Sequence, residues 1–241
     1  MDRKAVNLWG DEFVLPENTD KILSKIKKPK KVDIVKQLNS KRLTLREKLY
    51  IIEENVNTIL GHYKEDTLVI TTLEQLEKYI DKSIENGIIA VDTETNNTLN
   101  TITCKLMGVC LYTPGLKQTY IPINHISIEN GERLNNQLTE LDVYNQLNRL
   151  KTTKIIMHNG KFDWKVLHTT CKLELDVYWD TLIAARLLDE NEISAGLKQQ
   201  YIDKIDTTQE KYSIDHLFSD ILYEQIDPNL FALYAATDCL S

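Results

Sequence analysis

The chain has 241 residues, 42% of them hydrophobic and 27% charged, and a formal net charge of −7. That length buries a substantial core, and the composition excludes disorder of the whole chain. No apolar run nears the roughly 18 residues of a membrane span, and the N-terminus lacks the apolar core of a secretory signal, so a cytoplasmic protein with no membrane partner is expected.

The charge is divided unevenly. Residues 1–50 hold 13 Lys/Arg and 7 Asp/Glu, a balance of +6, which leaves −13 for the rest. A body this acidic repels a phosphate backbone unless divalent cations sit within it. The four cysteines, Cys104, Cys110, Cys171 and Cys239, form no CxxC pair and have no His at zinc-ligand spacing, so reduced thiols are expected.

Residues 1–62 read as a basic, partly helical N-terminal extension and 63–241 as the main domain. Lys25-Ile-Lys-Lys-Pro-Lys-Lys31 is a charge run broken by Pro29, suited to a solvated linker or to a nucleic-acid contact. Thr44 and Glu47 have capping-box spacing and open a helix with Leu45, Leu49, Ile52, Val56, Ile59 and Leu60 on its apolar stripe. A short strand, Thr67–Ile70, follows. Thr71 and Glu74 repeat the capping signature before a helix with Leu73, Leu76, Ile80 and Ile84 on one side, ended by Gly87. A strand over Ile88–Glu94 begins an antiparallel meander with Lys105–Tyr112 and Gln118–Ile123, joined by a turn at Tyr112–Gly115. Helix at Leu138–Leu150, strand at Lys154–Met157 and helix from about Phe162 come next. Helical stretches near Thr181–Leu188, Ala195–Ile205 and Leu230–Leu240 close the chain. This order predicts an α/β fold, a mixed sheet with helices on its faces.

Asp92 and Glu94 end an apolar strand, and residues i and i+2 of a strand share a face. Two neighbouring carboxylates repel, and a divalent cation compensates them directly. Asp163 lies in His158-Asn-Gly-Lys-Phe-Asp163, where Asn159-Gly160 breaks a strand and an acid suits the opening of a helix. The same segment delivers Asn159 and Asp163 to a strand exit, where open α/β sheets bind ligands. Tyr234 and Asp238 are spaced i, i+4 on one helical face. Each of these residues alone has a structural explanation: a polar strand end, a helix opening, a tyrosine at the edge of the core.

Together they resemble the DEDD superfamily of 3′→5′ exonucleases. Asp92-Thr-Glu94 matches its Asp-x-Glu, Asn159-Gly-Lys-Phe-Asp163 its His-Asn-x-x-Phe-Asp form, and Tyr234 to Asp238 its Tyr-x-x-x-Asp. The histidine subgroup would carry His where Leu233 stands, so the tyrosine subgroup is implied. The resemblance covers about residues 65–241. Trp179–Leu188 and Gly196-Leu-Lys198 look like the intervening helices of the exonuclease domain of family A DNA polymerases. It implies a ribonuclease H-like fold and a phosphodiester hydrolase with two divalent ions, Mg²⁺ or Mn²⁺, on Asp92, Glu94, Asp163 and Asp238. Tyr234 would orient the attacking water, since a phenol titrating near pH ~10 is a poor base at neutral pH. Thr93 and Asn159 would contact substrate, the 3′ end of single-stranded DNA. Asp180 reads as a helix cap instead of a further ligand.

The leading expectation is the proofreading domain of a family A-type polymerase in DNA replication, from a phage or other virus acting in the host cytoplasm, with a linked or separate polymerase domain as partner. The chain stops three residues after Asp238, so a truncated final helix, a fragment or a split gene product is expected, and Cys239-Leu-Ser241 resembles an intein opening. The alternatives are a stand-alone ribonuclease D-like exoribonuclease and a catalytically silent nucleic-acid-binding module.

Overall fold

A computed structural model describes residues 4–6, 12–14, 43–188, 195–204, 218 and 221–240. The basic run at Lys25–Lys31, Ile205 and Ser241 lie outside the described residues. The chain divides into two compact units, residues 1–34 and 35–241. In the first, β1 (Lys4–Val6) pairs antiparallel with β2 (Glu12–Val14), Lys4 opposite Val14. The remaining elements belong to the second unit, which thereby includes helix α1 (Leu45–Leu60), N-terminal to the boundary drawn at residues 62/63.

The capping box of α1 forms as its sequence demands. The Thr44 hydroxyl accepts from the Glu47 N–H at 3.3 Å, and the Glu47 carboxylate accepts from the Thr44 N–H at 2.7 Å. Strand β3 (Thr67–Val69) leads to α2 (Leu73–Asn86), whose box lies one residue beyond the expected pair. Thr72 is the cap, and Gln75 returns the bond to the Thr72 and Thr71 amides. Glu74 stays on the exposed side and pairs with Lys78 at 2.7 Å. This phase turns Leu76, Tyr79, Ile80 and Ser83 inward and leaves Leu73 exposed. Gly87 closes α2 in the left-handed region, φ 72°, where a side chain is strained.

The central strands are β4 (Ile88–Thr95), β5 (Leu106–Tyr112) and β6 (Gln118–Pro122), an antiparallel meander as expected. The β5–β6 connection turns at Thr113–Leu116, with Gly115 at φ 82° after Pro114, as a type II turn requires. After α3 (Glu140–Leu147) come β7 (Lys154–Met157), α4 (Gly160–Cys171) and β8 (Val177–Asp180). Strand β8 was not expected from the sequence. Helices α5 (Thr181–Leu188), α6 (Leu197–Lys204) and α7 (Pro228–Leu240) complete the described chain.

The six strands order as β3-β6-β5-β4-β7-β8, with β3 parallel to β6 and β7 parallel to both β4 and β8. This is the ribonuclease H-like mixed sheet expected, flanked by helices on both faces. Ile89 and Val91 of β4 with Val109 and Leu111 of β5 point into the main apolar cluster, beside Leu76 and Ile80 of α2, Val143 and Leu147 of α3, and Val166 and Leu167 of α4. Strand alternation sends Asp92 and Glu94 to the opposite face, where α7 lies across β3, β6, β5 and β4. No helix among the described residues is long and apolar enough to cross a membrane.

On that second face the register sets Glu94 opposite Gly108, and Asp92 opposite Cys110, which faces Tyr120 in turn. A Cβ on Gly108 would overlap the fully buried Tyr120 ring. Glycine is required there so that the phenol can lie across β5 and reach His125, its oxygen 2.7 Å from Nε2. Gly108→Ala is expected to lower stability by about 1–3 kcal/mol, the range for overpacking a closed core. A denaturant titration of the two proteins checks this, and an unchanged midpoint contradicts it.

Candidate active site

Three stretches of chain deliver the site. Asp92 and Glu94 stand at the C-terminal end of β4, Asp163 in the first turn of α4, and Tyr234 and Asp238 on α7. The side-chain donor atoms of Asp92, Glu94 and Cys110 lie within 4.8 Å of one another. Asp92 is only partly shielded from solvent by its accessible surface. Its carboxyl is nonetheless pushed well above the usual range, first by lost hydration and then by the charges of Asp163, Glu94 and Asp238. Asp238 lines the same groove as Asp92, and Asp163 bonds to Thr93, between Asp92 and Glu94, so the four acids share one end of the sheet. Lys198 of α6 is the one cation among these influences and acts the other way.

Asp163 is held from the far side. The Thr93 N–H and hydroxyl both donate to its Oδ1, at 2.9 and 2.7 Å. Thr93 is buried and in this structure serves Asp163. Burial outweighs those two bonds and pushes the Asp163 carboxyl up to about 6. Asn159 sits in the left-handed region at φ 58°, which asparagine tolerates, and is exposed beside the acids' end of the sheet. It ends β7 sharply, so α4 begins at Gly160, two residues before the expected opening at Phe162.

One carboxylate secures this corner. Asp180 accepts from the Asn159 and Gly160 amides at 3.1 and 2.8 Å and from the Leu182 and Ile183 amides at 2.9 and 3.2 Å. It caps two helix openings at once, which accords with the structural role expected for it. Tyr234 is buried against Phe218 and Phe231, ring centroids 4.9 and 5.7 Å away. The Lys198 ammonium lies 5.0 Å from the Tyr234 ring centroid, a cation–π contact. Helix α7 starts where Asp227 accepts from the Asn229 and Leu230 amides, with Pro228 at its first position, two residues before the expected Leu230.

Helix α7 is tied down by a buried histidine. His125 Nδ1 lies 2.9 Å from the Ile226 carbonyl, which can only accept, so Nε2 takes the Tyr120 hydroxyl proton. Burial pushes the His125 imidazole down to about 4. His125 is therefore neutral at ordinary pH and brings no charge to this face of the sheet.

Cys110 and Lys198 were not singled out as site neighbours from the sequence. The position of Cys110 follows from strand register, and that of Lys198 from its contact with the Tyr234 ring, 36 residues away; neither is visible in spacing. Burial and the surrounding acidic groups push the Cys110 thiol well up, so without metal it stays protonated. The remaining donors are hard carboxylate oxygens crowded together, the set that suits Mg²⁺ or Mn²⁺.

Without metal this cluster makes stability depend on pH. The folded Asp163 carboxyl titrates about 6 against an ordinary value of 3.8, so the folded state binds the extra proton between them. Stability from this group is present at low pH and is lost as pH rises from about 4 to about 6. His125 acts in the reverse sense, since its lowered value costs stability as pH falls from 6.5 towards about 4. The Asp163 contribution is therefore read as a difference. In EDTA, the melting temperature of Asp163→Asn minus that of the unaltered protein is expected to increase as pH rises from about 4 to about 7, and a constant difference contradicts this.

A family model described as a 3′-5′ exonuclease, of the DNA polymerase A type, matches residues 68–241. DNA polymerase I of Borreliella burgdorferi is 29% identical over 197 residues, which covers 78% of this chain and 20% of the relative. DNA polymerase I of Treponema pallidum is 28% identical over 170 residues, 57% of this chain and 16% of the relative. The chain thus spans a fifth or less of the length of these curated relatives. Among solved structures, Escherichia coli RNase D, an exoribonuclease involved in structured RNA processing, is similar at 21% identity and TM-score 0.49, over 72% of this chain and 41% of that one. Brucella melitensis NrnC is similar at 22% identity and TM-score 0.46, over 72% of this chain and 73% of that one. With the family model covering well over half of the chain, this protein belongs to the 3′-5′ exonuclease family and is a phosphodiester hydrolase.

Proposed function

We propose that this chain removes nucleotides from the 3′ end of single-stranded DNA as the proofreading domain of a family A-type DNA polymerase, linked to the polymerase domain or acting beside it. The observation that carries the reading is the placement of Asp92 and Glu94 within 4.8 Å of each other, with Asp238 lining the same groove as Asp92 and Asp163 bonded to Thr93 between them. The DNA preference and the polymerase context draw support from the two relatives named DNA polymerase I.

In this reading Asp92, Glu94, Asp163 and Asp238 hold two divalent ions, Mg²⁺ or Mn²⁺. Such ions, when bound, neutralise charge on the phosphodiester and lower the pKa of a water. The chain's own groups do the rest. Tyr234, held by Phe218, Phe231 and the Lys198 cation, orients the attacking water through its hydroxyl. Asn159 contacts the terminal nucleotide. Thr93 holds one Asp163 oxygen in place, and the second oxygen would serve as the ligand. The four acids then need their ions before a phosphate group can approach them.

Asp92→Ala is expected to lower hydrolysis by on the order of 10³-fold, the loss of several kcal/mol of charge stabilisation. The same change is expected to raise the melting temperature in EDTA, because it removes a carboxylate from a repelling cluster. Near-normal digestion by purified Asp92→Ala protein would sink the assignment. Matched single-stranded DNA and RNA, digested from the 3′ end with Mg²⁺ or Mn²⁺, test the substrate: faster loss of RNA replaces the proofreading reading with a ribonuclease D-like one. A protein that neither digests nor gains thermal stability from either ion is a silent binding module.

A further inference from the structure

The β8 edge of the sheet carries large aromatic side chains that hydrolysis does not use. Tyr178 is 60% exposed and Trp179 52%. Both stand on the strand that ends the described sheet. Between β8, α4 and α5 lies a concavity of about 440 Å³, lined among others by Lys161, Trp164, Tyr178, Trp179 and Ile183. The Trp164 indole lies flat on the His168 ring, centroids 5.0 Å apart and planes 4° apart, so its orientation is fixed in advance. The Lys154 ammonium lies 4.9 Å from the Tyr178 ring centroid. Exposed lysines are therefore interleaved with exposed aromatic rings, within a body whose charge is otherwise acidic.

This surface is continuous with the acid cluster. Trp179 and Ala184 also line the groove of about 320 Å³ that contains Asp92 and Asp238. A strand with its 3′ end at those acids and running past Trp179 arrives on the β8 concavity. Bases have flat π faces that stack on aromatic side chains whatever their sequence, and lysines beside the rings meet the phosphates. Aromatic rings alone would suit a protein partner equally. The interleaved lysines and the shared wall with the catalytic groove favour nucleic acid.

We propose that the β8-edge concavity is a stacking platform for the single-stranded DNA upstream of the 3′ terminus, with Trp164, Tyr178 and Trp179 receiving bases and Lys154 and Lys161 their phosphates. This rests on the exonuclease reading and extends it to where the rest of the strand lies.

The test compares the full chain with its Trp164→Ala/Tyr178→Ala and Lys161→Glu variants on two substrates, a thymidine dinucleotide and a longer oligothymidylate. On the longer strand the double variant is expected to raise KM on the order of tenfold for each stacked base lost, with kcat unchanged. Lys161→Glu is expected to raise KM and flatten its salt dependence. Dinucleotide hydrolysis is expected to stay as it was in every variant, because that substrate, bound at the acids, does not extend to Lys161, Trp164 or Tyr178. Trp164→Phe keeps a ring in place and is expected to retain most of the affinity, which separates stacking from loss of fold. Equal effects on both substrates, or none on the longer one, overturn the platform and leave the surface to a protein partner. Anisotropy of a 5′-labelled oligothymidylate in EDTA supplies an arm independent of hydrolysis. If the unaltered protein digests nothing yet binds the strand, and the double variant does not, the exonuclease reading fails while the platform stands; equal binding by both overturns the platform.

Discussion

Four carboxylates share one corner of this molecule, and three of them raise the cost of ionising the fourth. Asp92 feels Asp163, Glu94 and Asp238 at once, with Lys198 as the opposing cation. An arrangement that stores repulsion persists only when the surrounding fold overrules it. Here the strand pairing of β4 with β5 and β7, the docking of α4 and the lid formed by α7 each contribute an acid they cannot withdraw. The acidity that weakens the metal-free protein is also what makes it receptive to hard divalent cations.

Holding those acids in register falls to small polar contacts more than to the apolar core. Thr93 spends both its donors on one oxygen of Asp163. Asp180 gathers four backbone amides from the starts of two helices, so the turn that carries Asn159 and the helix that carries Asp163 share an anchor with α5. On the other side the Tyr120–His125–Ile226 chain fastens the approach to α7 to the sheet. Burial keeps that histidine neutral, so the link is a dipolar one that neither adds to nor screens the charge nearby.

Much of this was legible in the sequence. Apolar periodicity located the meander strands and most helices because their buried faces are built from Ile, Val and Leu at strand or helix spacing. The site acids were legible because motif spacing carries geometry: i, i+2 on β4 and i, i+4 on α7. What the sequence hid depends on contacts between distant segments. The register that sets Cys110 beside Asp92, and the packing that puts Lys198 over Tyr234, have no local signature. Strand β8 (Val177–Asp180) had little of one either, since Val177 is followed by exposed aromatics on a sheet edge and the apolar run that marked the other strands is lacking. Helix boundaries shifted by one or two residues wherever two cap residues stood side by side, as at Thr71 and Thr72, or where the cap itself was the signal, as at Asp227 before Pro228.

The lid helix α7 reaches the site from the opposite end of the sequence to β4, and the two acids it must join, Asp92 and Asp238, are separated by more than half of the chain. Contacts so distant in sequence form late in folding, since loop closure is costly before they are made. In the proposed reading hydrolysis needs Asp238 beside Asp92, so a molecule in which α7 has opened from the sheet is an inactive one.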